Sequence, residues 1–446
     1  MPPQIVPAVS KQSNSMAIIS SVLSCLFMGL GQIYNRQLAK GIAYLLLETF
    51  ILTFWSKPIA HGLWGLFTLG ETLQVRERGR VVEQGDHSIF LMVEGIIYLL
   101  VLVVCICFYV FNVRDAYKVR KQIERGIPAN NLQQSLLQIW DKGYAYLLLS
   151  PAVIFTLFLT ILPLIFGILI AFTNYSGPNH LPPKHLVDWV GFESFTNLFK
   201  LKAWSYTFYN VVGWTIVWAI LTTATTYFVG LLYAIMINYK PIRLKRMWRT
   251  IYILPWAIPA FVTILIFRNL FNAQFGPLNA YLRLAGFDPI PWLSDPTWAK
   301  ITLILVNTWL GFPFWMALMS GVLTNIDRDM YEAAEVDGAS AWQKFTSITL
   351  PLVLFATAPL LIMSFAGNLN NFNIIYLFTE GGPVNVNYSY AGSTDILISW
   401  IFKLTLQQNQ FNTASVVSII IFIFTALFSI RNFRNTRAFK EEDMIQ

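Results

Sequence analysis

Nine mostly apolar stretches constrain the fold of this chain more than any other feature. They lie at roughly 16–34, 38–55, 88–113, 143–173, 205–238, 248–272, 299–324, 345–373 and 412–431. A helix of about 20 apolar residues crosses a bilayer with all its backbone polar groups satisfied. With 56% hydrophobic and 12% charged residues, the chain is too apolar to bury its surface in water alone. The sequence therefore predicts an all-α, polytopic membrane protein with about eight crossings.

The order of these stretches predicts two parts. The first three are irregular, and 16–34 is short and contains Gly29 and Gly31, so it is not assigned as a crossing. The last six follow one another regularly. We expect residues 1–142 to form an N-terminal tail with accessory membrane helices, and residues 143–440 to form a core of six transmembrane helices.

Basic residues predict the orientation of the core. Lys and Arg accumulate in 114–142, in 239–249, in 324–346 and in the tail after 430, and short cytoplasmic loops attract such residues. Lys57, Arg76, Arg78 and Arg80 lie in a loop assigned outside and leave the accessory helices less well oriented. This pattern also explains the net charge of +8. Binding to nucleic acid is not predicted, because no basic-aromatic stripe or known nucleic-acid module occurs.

One predicted cytoplasmic loop carries a distinctive motif. Residues 331–339 read YEAAEVDGA, and Phe345, Leu350 and Pro351 follow. The pattern predicts a short helix with small residues on one face, a turn at Gly338, and a second helix. Such a helix–turn–helix could dock in a groove of another protein. The alternative is an ordinary amphipathic helix pair at the membrane surface.

This motif resembles the EAA loop of ABC importer permeases, and residues 143–440 resemble the MalF-type permease of maltose and maltodextrin importers. Further similar segments are 254–259 (LPWAIP), 307–313 (NTWLGFP), 364–372 (SFAGNLNNF) and 380–383 (EGGP). One departure is the short outer loop 174–204, where enterobacterial members of the family carry a large folded insertion.

The resemblance implies a type I ABC importer permease fold in a multi-pass protein of the bacterial cell membrane. It implies four partners: a dimer of ABC ATPase subunits, a second homologous permease subunit, an extracytoplasmic sugar-binding protein and the transported oligosaccharide. The loop at about 329–347 would seat on the ATPase, which uses the ATP, while this chain needs no cofactor. The ATPase-coupling residues implied are Glu332, Ala333, Ala334, Asp337, Gly338 and Ala339.

Amide side chains in the eighth apolar stretch predict a sugar site. Amides are costly in hydrocarbon unless they face a cavity or another helix. Ser364, Asn368 and Asn371 follow at i, i+4 and i+7, which places them on one helix face. By resemblance these three match polar sugar contacts, and Leu310 and Gly311 match the opposite wall, whereas positions 314 and 367 depart from the family pattern. The alternative is that the amides join neighbouring helices.

The sequence favours a transport subunit over an enzyme. No Gly-Lys dipeptide occurs, so the usual nucleotide-binding loop is missing. The first substrate expected is maltose or maltodextrin, and the next is a galactose-containing oligosaccharide or another glucoside. An ion-driven secondary transporter would normally show acidic residues at mid-depth of the core helices, and a membrane enzyme would show paired carboxylates or metal ligands; neither pattern is apparent, and no metal site is predicted.

Overall fold

The computed structural model describes residues 15–78, 80–130, 132–238 and 242–434. The predicted tail before residue 15 and the end of the predicted core, 435–440, lie outside these residues. By internal contacts the chain divides into two units, residues 1–189 and 190–446. The division after residue 142, which rests on the order of the apolar stretches, is a different one and stays a prediction.

Within the described residues, the N-terminal unit is mainly helical and contains one small hairpin. Its helices are α1 (Ser15–Leu26), α2 (Leu30–Tyr34), α3 (Leu38–Phe50), α4 (Ser56–Thr68), α5 (Ser88–Glu124), α6 (Leu132–Thr156) and α7 (Leu162–Ile170). π-Helical turns at Ile51–Trp55 and Leu157–Ile161 join α3 to α4 and α6 to α7. Strands β1 (Val75–Glu77) and β2 (Arg80–Glu83) pair antiparallel.

The C-terminal unit is formed by twelve further helices within the described residues. They are α8 (Glu193–Lys200), α9 (Lys202–Asn238), α10 (Lys245–Ala257), α11 (Ala260–Leu270), α12 (Pro277–Leu284), α13 (Pro296–Thr324), α14 (Arg328–Val336), α15 (Ala341–Lys344), α16 (Leu350–Leu369), α17 (Phe372–Thr379), α18 (Leu397–Phe402) and α19 (Phe411–Arg434). A π-helical turn, Phe345–Thr349, joins α15 to α16, and another, Lys403–Gln407, follows α18.

The number of candidate membrane helices agrees with the prediction. Among the described residues, seven helices are long and apolar enough to cross a bilayer, or eight if the bent pair α10–α11 counts as one span. The first apolar stretch divides into α1, of 12 residues, and α2, of 5, both shorter than a normal crossing. The predicted all-α polytopic fold is confirmed.

Two glycines allow α9 and α13 to cross closely at the centre of the C-terminal unit. A Cβ atom on Gly230 would lie 2.4 Å from Cβ of Trp315, and one on Gly311 would lie 2.6 Å from Cγ2 of Thr226. Small residues are the usual way for membrane helices to approach, because lipid gives apolar side chains no reason to associate. Trp315 itself belongs to a cluster of buried apolar side chains that includes Tyr227 and Leu231 of α9.

Candidate functional site

The predicted helix–turn–helix is present as α14 and α15. Asp327 caps α14 by accepting a hydrogen bond from the Asp329 amide, and Ser340 forms a capping box with Gln343 at the start of α15. Between the helices, Gly338 has a φ of +75°. This left-handed conformation favours glycine, so the position of Gly338 in the motif has a local structural reason.

Side-chain contacts hold the two helices in place and leave the motif accessible. The Tyr331 hydroxyl lies 2.8 Å from the Thr349 hydroxyl, and Lys344 pairs with Glu335 at 2.6 Å. The six predicted coupling residues are all at least partly accessible: Glu332, Ala333, Asp337 and Gly338 are exposed, and Ala334 and Ala339 are half-buried.

Large apolar side chains accompany the motif at the surface. Val336 is 88% exposed, Trp342 71% and Met330 45%. Membrane proteins expose apolar residues to lipid, but these three lie beside the charged residues of a loop. Such a mixed apolar and charged surface is typical of a protein-binding patch.

A second feature is a cavity of about 340 Å³ inside the C-terminal unit. The bend between α10 and α11 forms part of its wall, and α9, α13, α16 and α17 supply the rest. All five predicted sugar-site residues line it, together with nine that the sequence did not assign. The predicted five are Leu310, Gly311, Ser364, Asn368 and Asn371, and the others are Thr226, Trp256, Ala260, Ile264, Asn307, Phe314, Trp315, Asn373 and Ile374.

The helical spacing used to predict this wall is wrong in one respect. Helix α16 ends at Leu369, and Asn371 has a φ of −79° and a ψ of 73° as the residue before α17. Ser364 and Asn368 therefore share a helix, while Asn371 reaches the cavity from the break that follows. Consecutive Asn residues favour such a break because their side chains compete for backbone hydrogen bonds.

Two amides that line the cavity also donate hydrogen bonds to neighbouring helices. Asn368 donates through Nδ2 to the Thr223 hydroxyl at 2.9 Å, and Asn371 donates through Nδ2 to Oδ1 of Asn307 at 3.2 Å. Within the described residues, no protein partner is found for the Ser364 hydroxyl or the Asn373 amide. The cavity thus presents hydrogen-bonding groups that the protein uses only in part.

Aromatic rings cover another part of the cavity wall. The rings of Trp256 and Phe314 lie 6.0 Å apart between centroids, and Trp315 lies beside them. Trp256 was not predicted, although the surrounding LPWAIP segment was. The sequence feature that could have placed Trp256 at the cavity is Pro259, because the residue before a proline avoids helical geometry. The 90° bend at this point brings the end of α10 to the cavity.

The EGGP segment, 380–383, belongs to a loop that packs against the buried side chain of Asp395. Asp395 is fully buried and accepts hydrogen bonds from the Gly392 amide, the Ser399 hydroxyl and Lys403. A Cβ atom on Gly381 would lie 2.0 Å from Oδ1 of this carboxylate. Burial raises the pKa of Asp395, and the Lys403 ammonium opposes that rise. The glycine is therefore required by packing against Asp395.

Other ionisable groups among the described residues form no metal site. Glu48, inside the second apolar stretch, accepts a hydrogen bond from the Met28 amide and so closes the turn after α1. Within the described residues, no group of three or more His, Cys, Asp or Glu side chains is arranged to hold a metal ion.

Comparison with known proteins identifies the family. Residues 226–435 match the family described as binding-protein-dependent transport system inner membrane component. Across its length the chain is 42% identical to the galactooligosaccharides transport system permease protein GanP of Bacillus subtilis (strain 168), and the match covers 97% of this chain and 100% of that protein. The chain belongs to this permease family. It is a membrane transport component, as predicted, and its family is not one of enzymes.

Two further relatives place the permease within the family. It is 41% identical to the maltodextrin transport system permease protein MalC of Streptococcus pneumoniae serotype 4, covering 98% of this chain and 99% of that one. It is 39% identical to the maltose/maltodextrin transport system permease protein MalF of Klebsiella aerogenes, covering 58% of this chain and 51% of MalF. The predicted membership of a MalF-type sugar permease family is confirmed.

Solved structures support the fold. A bacterial ABC transporter involved in the import of the acidic polysaccharide alginate aligns with a TM-score of 0.55 at 24% identity, over 68% of this permease and 98% of that chain. At this identity the likeness concerns the fold alone. It agrees with the predicted importer permease architecture.

Proposed function

We propose that this permease carries a neutral oligosaccharide into the cytoplasm, with maltose or a maltodextrin as its first substrate. The observation that supports this most is the cavity, where residues from two separate segments, 310–311 and 364–371, meet around one space. Among the described residues, its lining contains amides, hydroxyls and aromatic rings but no charged side chain. Hydroxyl-rich, uncharged sugars match such a surface, because amides exchange hydrogen bonds with them and rings cover their apolar faces.

The proposed sugar contacts are those predicted from sequence. Ser364, Asn368 and Asn371 would bind sugar hydroxyls, and Leu310 with Gly311 would form the facing wall. Gly311 has a second role, because its lack of a Cβ atom also permits the contact with Thr226 on α9.

A separate ATPase dimer would hydrolyse ATP and so drive transport. The residues proposed to dock on it are Glu332, Ala333, Ala334, Asp337, Gly338 and Ala339. From α15 the backbone continues as one helical span, Ala341–Leu369, of 29 residues, which ends beside the cavity. A displacement of the loop would therefore reach Ser364 and Asn368 along a single helix, opening and closing access to the cavity as ATPase subunits associate and separate.

The remaining partners follow from the same mechanism. A binding protein outside the cell would deliver the sugar, and a second, homologous permease subunit would complete the pathway. Residues 143–440 would form the core of six crossings, and residues 1–142 would be accessory.

A galactose-containing oligosaccharide is the second candidate substrate. The identity to GanP, 42%, is as high as the identity to MalC, 41%, and the positions of the cavity amides do not select one sugar linkage.

Uptake by the assembled importer in proteoliposomes tests the proposal. With ATP inside and its own binding protein outside, we expect labelled maltotriose to accumulate, to persist when a protonophore is added, and to stop when the ATPase subunit is omitted. Preferential uptake of a galactotriose would select the second candidate. Uptake that needs a proton gradient and no ATPase would exclude an ABC importer.

A further inference from the structure

The N-terminal unit contains a basic cleft that the transport proposal does not use. It has a volume of about 430 Å³ and lies between α1 and α5, lined by Ser21, Val113, Arg114, Tyr117 and Lys118. We propose that this cleft binds the headgroup of an anionic phospholipid in the cytoplasmic leaflet.

The two helices that form the cleft are held in a fixed antiparallel register. The Tyr109 hydroxyl donates to the Cys25 carbonyl at 3.0 Å, and the Ser20 hydroxyl donates to the Ala116 carbonyl at 3.3 Å. A fixed register keeps the cleft open at one height, so its lining is a built feature of the unit rather than a gap between independent helices.

The height of the cleft along α5 corresponds to a membrane surface. Residues 95–113 contain no charged side chain, and 19 helical residues extend about 28 Å, close to the thickness of the hydrocarbon core. Arg114 is the first cation after this stretch, and Lys118 follows one turn later on the same face. These two cations therefore lie where lipid phosphates lie, on the side that the distribution of basic residues assigns to the cytoplasm.

The charges around the cleft leave these two cations available. Nearby, Asp115 pairs with Lys40 at 2.8 Å, and Arg120 lies 3.7 Å from Glu124. Within the described residues, Arg114 and Lys118 have no carboxylate partner, and both side chains are exposed. A third cation lies close by, since the Lys121 ammonium is 5.8 Å from the centre of the Tyr117 ring.

The combination of cations with Val113 and Tyr117 suits a lipid better than a free anion. A phosphodiester would lie against Arg114 and Lys118, and the glycerol and upper acyl chain would lie against the apolar wall. Basic pockets between helices on the cytoplasmic side of a membrane are known to bind anionic lipid headgroups.

Lipid retention by the full-length permease in the assembled importer tests this. After exchange into mixed micelles of phosphatidylglycerol and phosphatidylcholine, native mass spectrometry should show preferential retention of phosphatidylglycerol. The double variant Arg114→Gln/Lys118→Gln should bind it roughly 30-fold more weakly, about fivefold for each cation. The matched control Lys200→Gln/Lys202→Gln removes the same charge from exposed positions on the predicted outer side and should bind as the wild type does.

Equal retention of both lipids by the wild type would overturn the proposal, and so would unchanged retention of phosphatidylglycerol by the cleft variant. Displacement of the lipid by millimolar inorganic phosphate would also overturn it, because that result would indicate a free-anion site. Should the cleft variant not fold, two other measurements decide. Retention of phosphatidylglycerol by the wild type should fall with added salt while that of phosphatidylcholine does not, and Arg114→Lys/Lys118→Arg should retain the lipid.

Discussion

At the scale of single residues, the cavity amides combine structural and transport roles. Each of the two assigned amides, Asn368 and Asn371, donates one hydrogen bond to a neighbouring element, so the expectation that such amides join helices and the expectation that they bind sugar are both compatible with the geometry. The helix contacts would fix the orientation of each amide, which leaves its carbonyl oxygen and its second N–H available to a sugar hydroxyl.

Substitution of Asn368 tests whether this amide contributes to transport. Asn368→Ala should lower maltotriose uptake about tenfold, since one lost hydrogen bond to the sugar costs about 1 kcal/mol or somewhat more. The matched control is Asn269→Ala on α11, where the amide is exposed and donates to Leu265 in its own helix. Equal uptake by both variants at equal amounts in the membrane would remove Asn368 from the site.

Gly338 permits a second residue-scale prediction. Its φ of +75° disfavours a β-branched residue, while no atom lies within 4 Å of an added Cβ, so the cost is conformational and not steric. Gly338→Val should therefore distort the turn and abolish ATP-driven uptake, while Gly338→Asn, which tolerates the left-handed region, should retain most of it. The check is uptake together with ATPase activity. Full activity of the valine variant would contradict the argument.

At the scale of elements, the close crossing of α9 and α13 supports the cavity wall. Within α9, Gly230 is buried against Trp315, whereas Gly213 is exposed with nothing within 4 Å of an added Cβ. These two glycines occupy the same helix and differ in little but their surroundings.

Substitution of each glycine by alanine tests this crossing. Gly230→Ala should lower the unfolding free energy by about 1–3 kcal/mol through overpacking, while Gly213→Ala should be neutral or stabilise the helix by up to about 1 kcal/mol. Thermal unfolding of the purified permease in detergent measures both. Similar midpoints for the two variants would mean that α9 and α13 do not cross as described.

Sequence patterns predicted the membrane helices better than the breaks within them. Hydropathy located the membrane helices because burial in lipid requires long apolar stretches, and Gly338 within the YEAAEVDGA motif predicted the α14–α15 turn. The breaks at Ile258 and Asn370 were missed, because within a continuous apolar stretch hydropathy does not report a change of direction. The hairpin β1–β2 and helices α8 and α12 lie in loops that carry no apolar periodicity long enough to show them.

At the scale of the whole molecule, the candidate site is distributed over segments that are distant in sequence. The family motifs predicted five cavity residues, but not Trp256, Asn307 or Asn373, since their approach depends on how bent and broken helices pack. The coupling motif was easier to predict because it is local. The transport proposal links these two sites through the continuous helical span from Ala341 to Leu369.

The docking of the coupling loop on an ATPase subunit is the central claim, and site-specific crosslinking in the assembled importer tests it most directly. A photoreactive residue placed at Ala333 should crosslink to the ATPase, whereas one at Ser205, near the outer end of α9, should not. A cysteine at Ala333 should also resist a membrane-impermeant maleimide added outside intact cells. Absence of any ATPase adduct from a transport-competent importer, or labelling of Ala333→Cys from outside, would contradict the account.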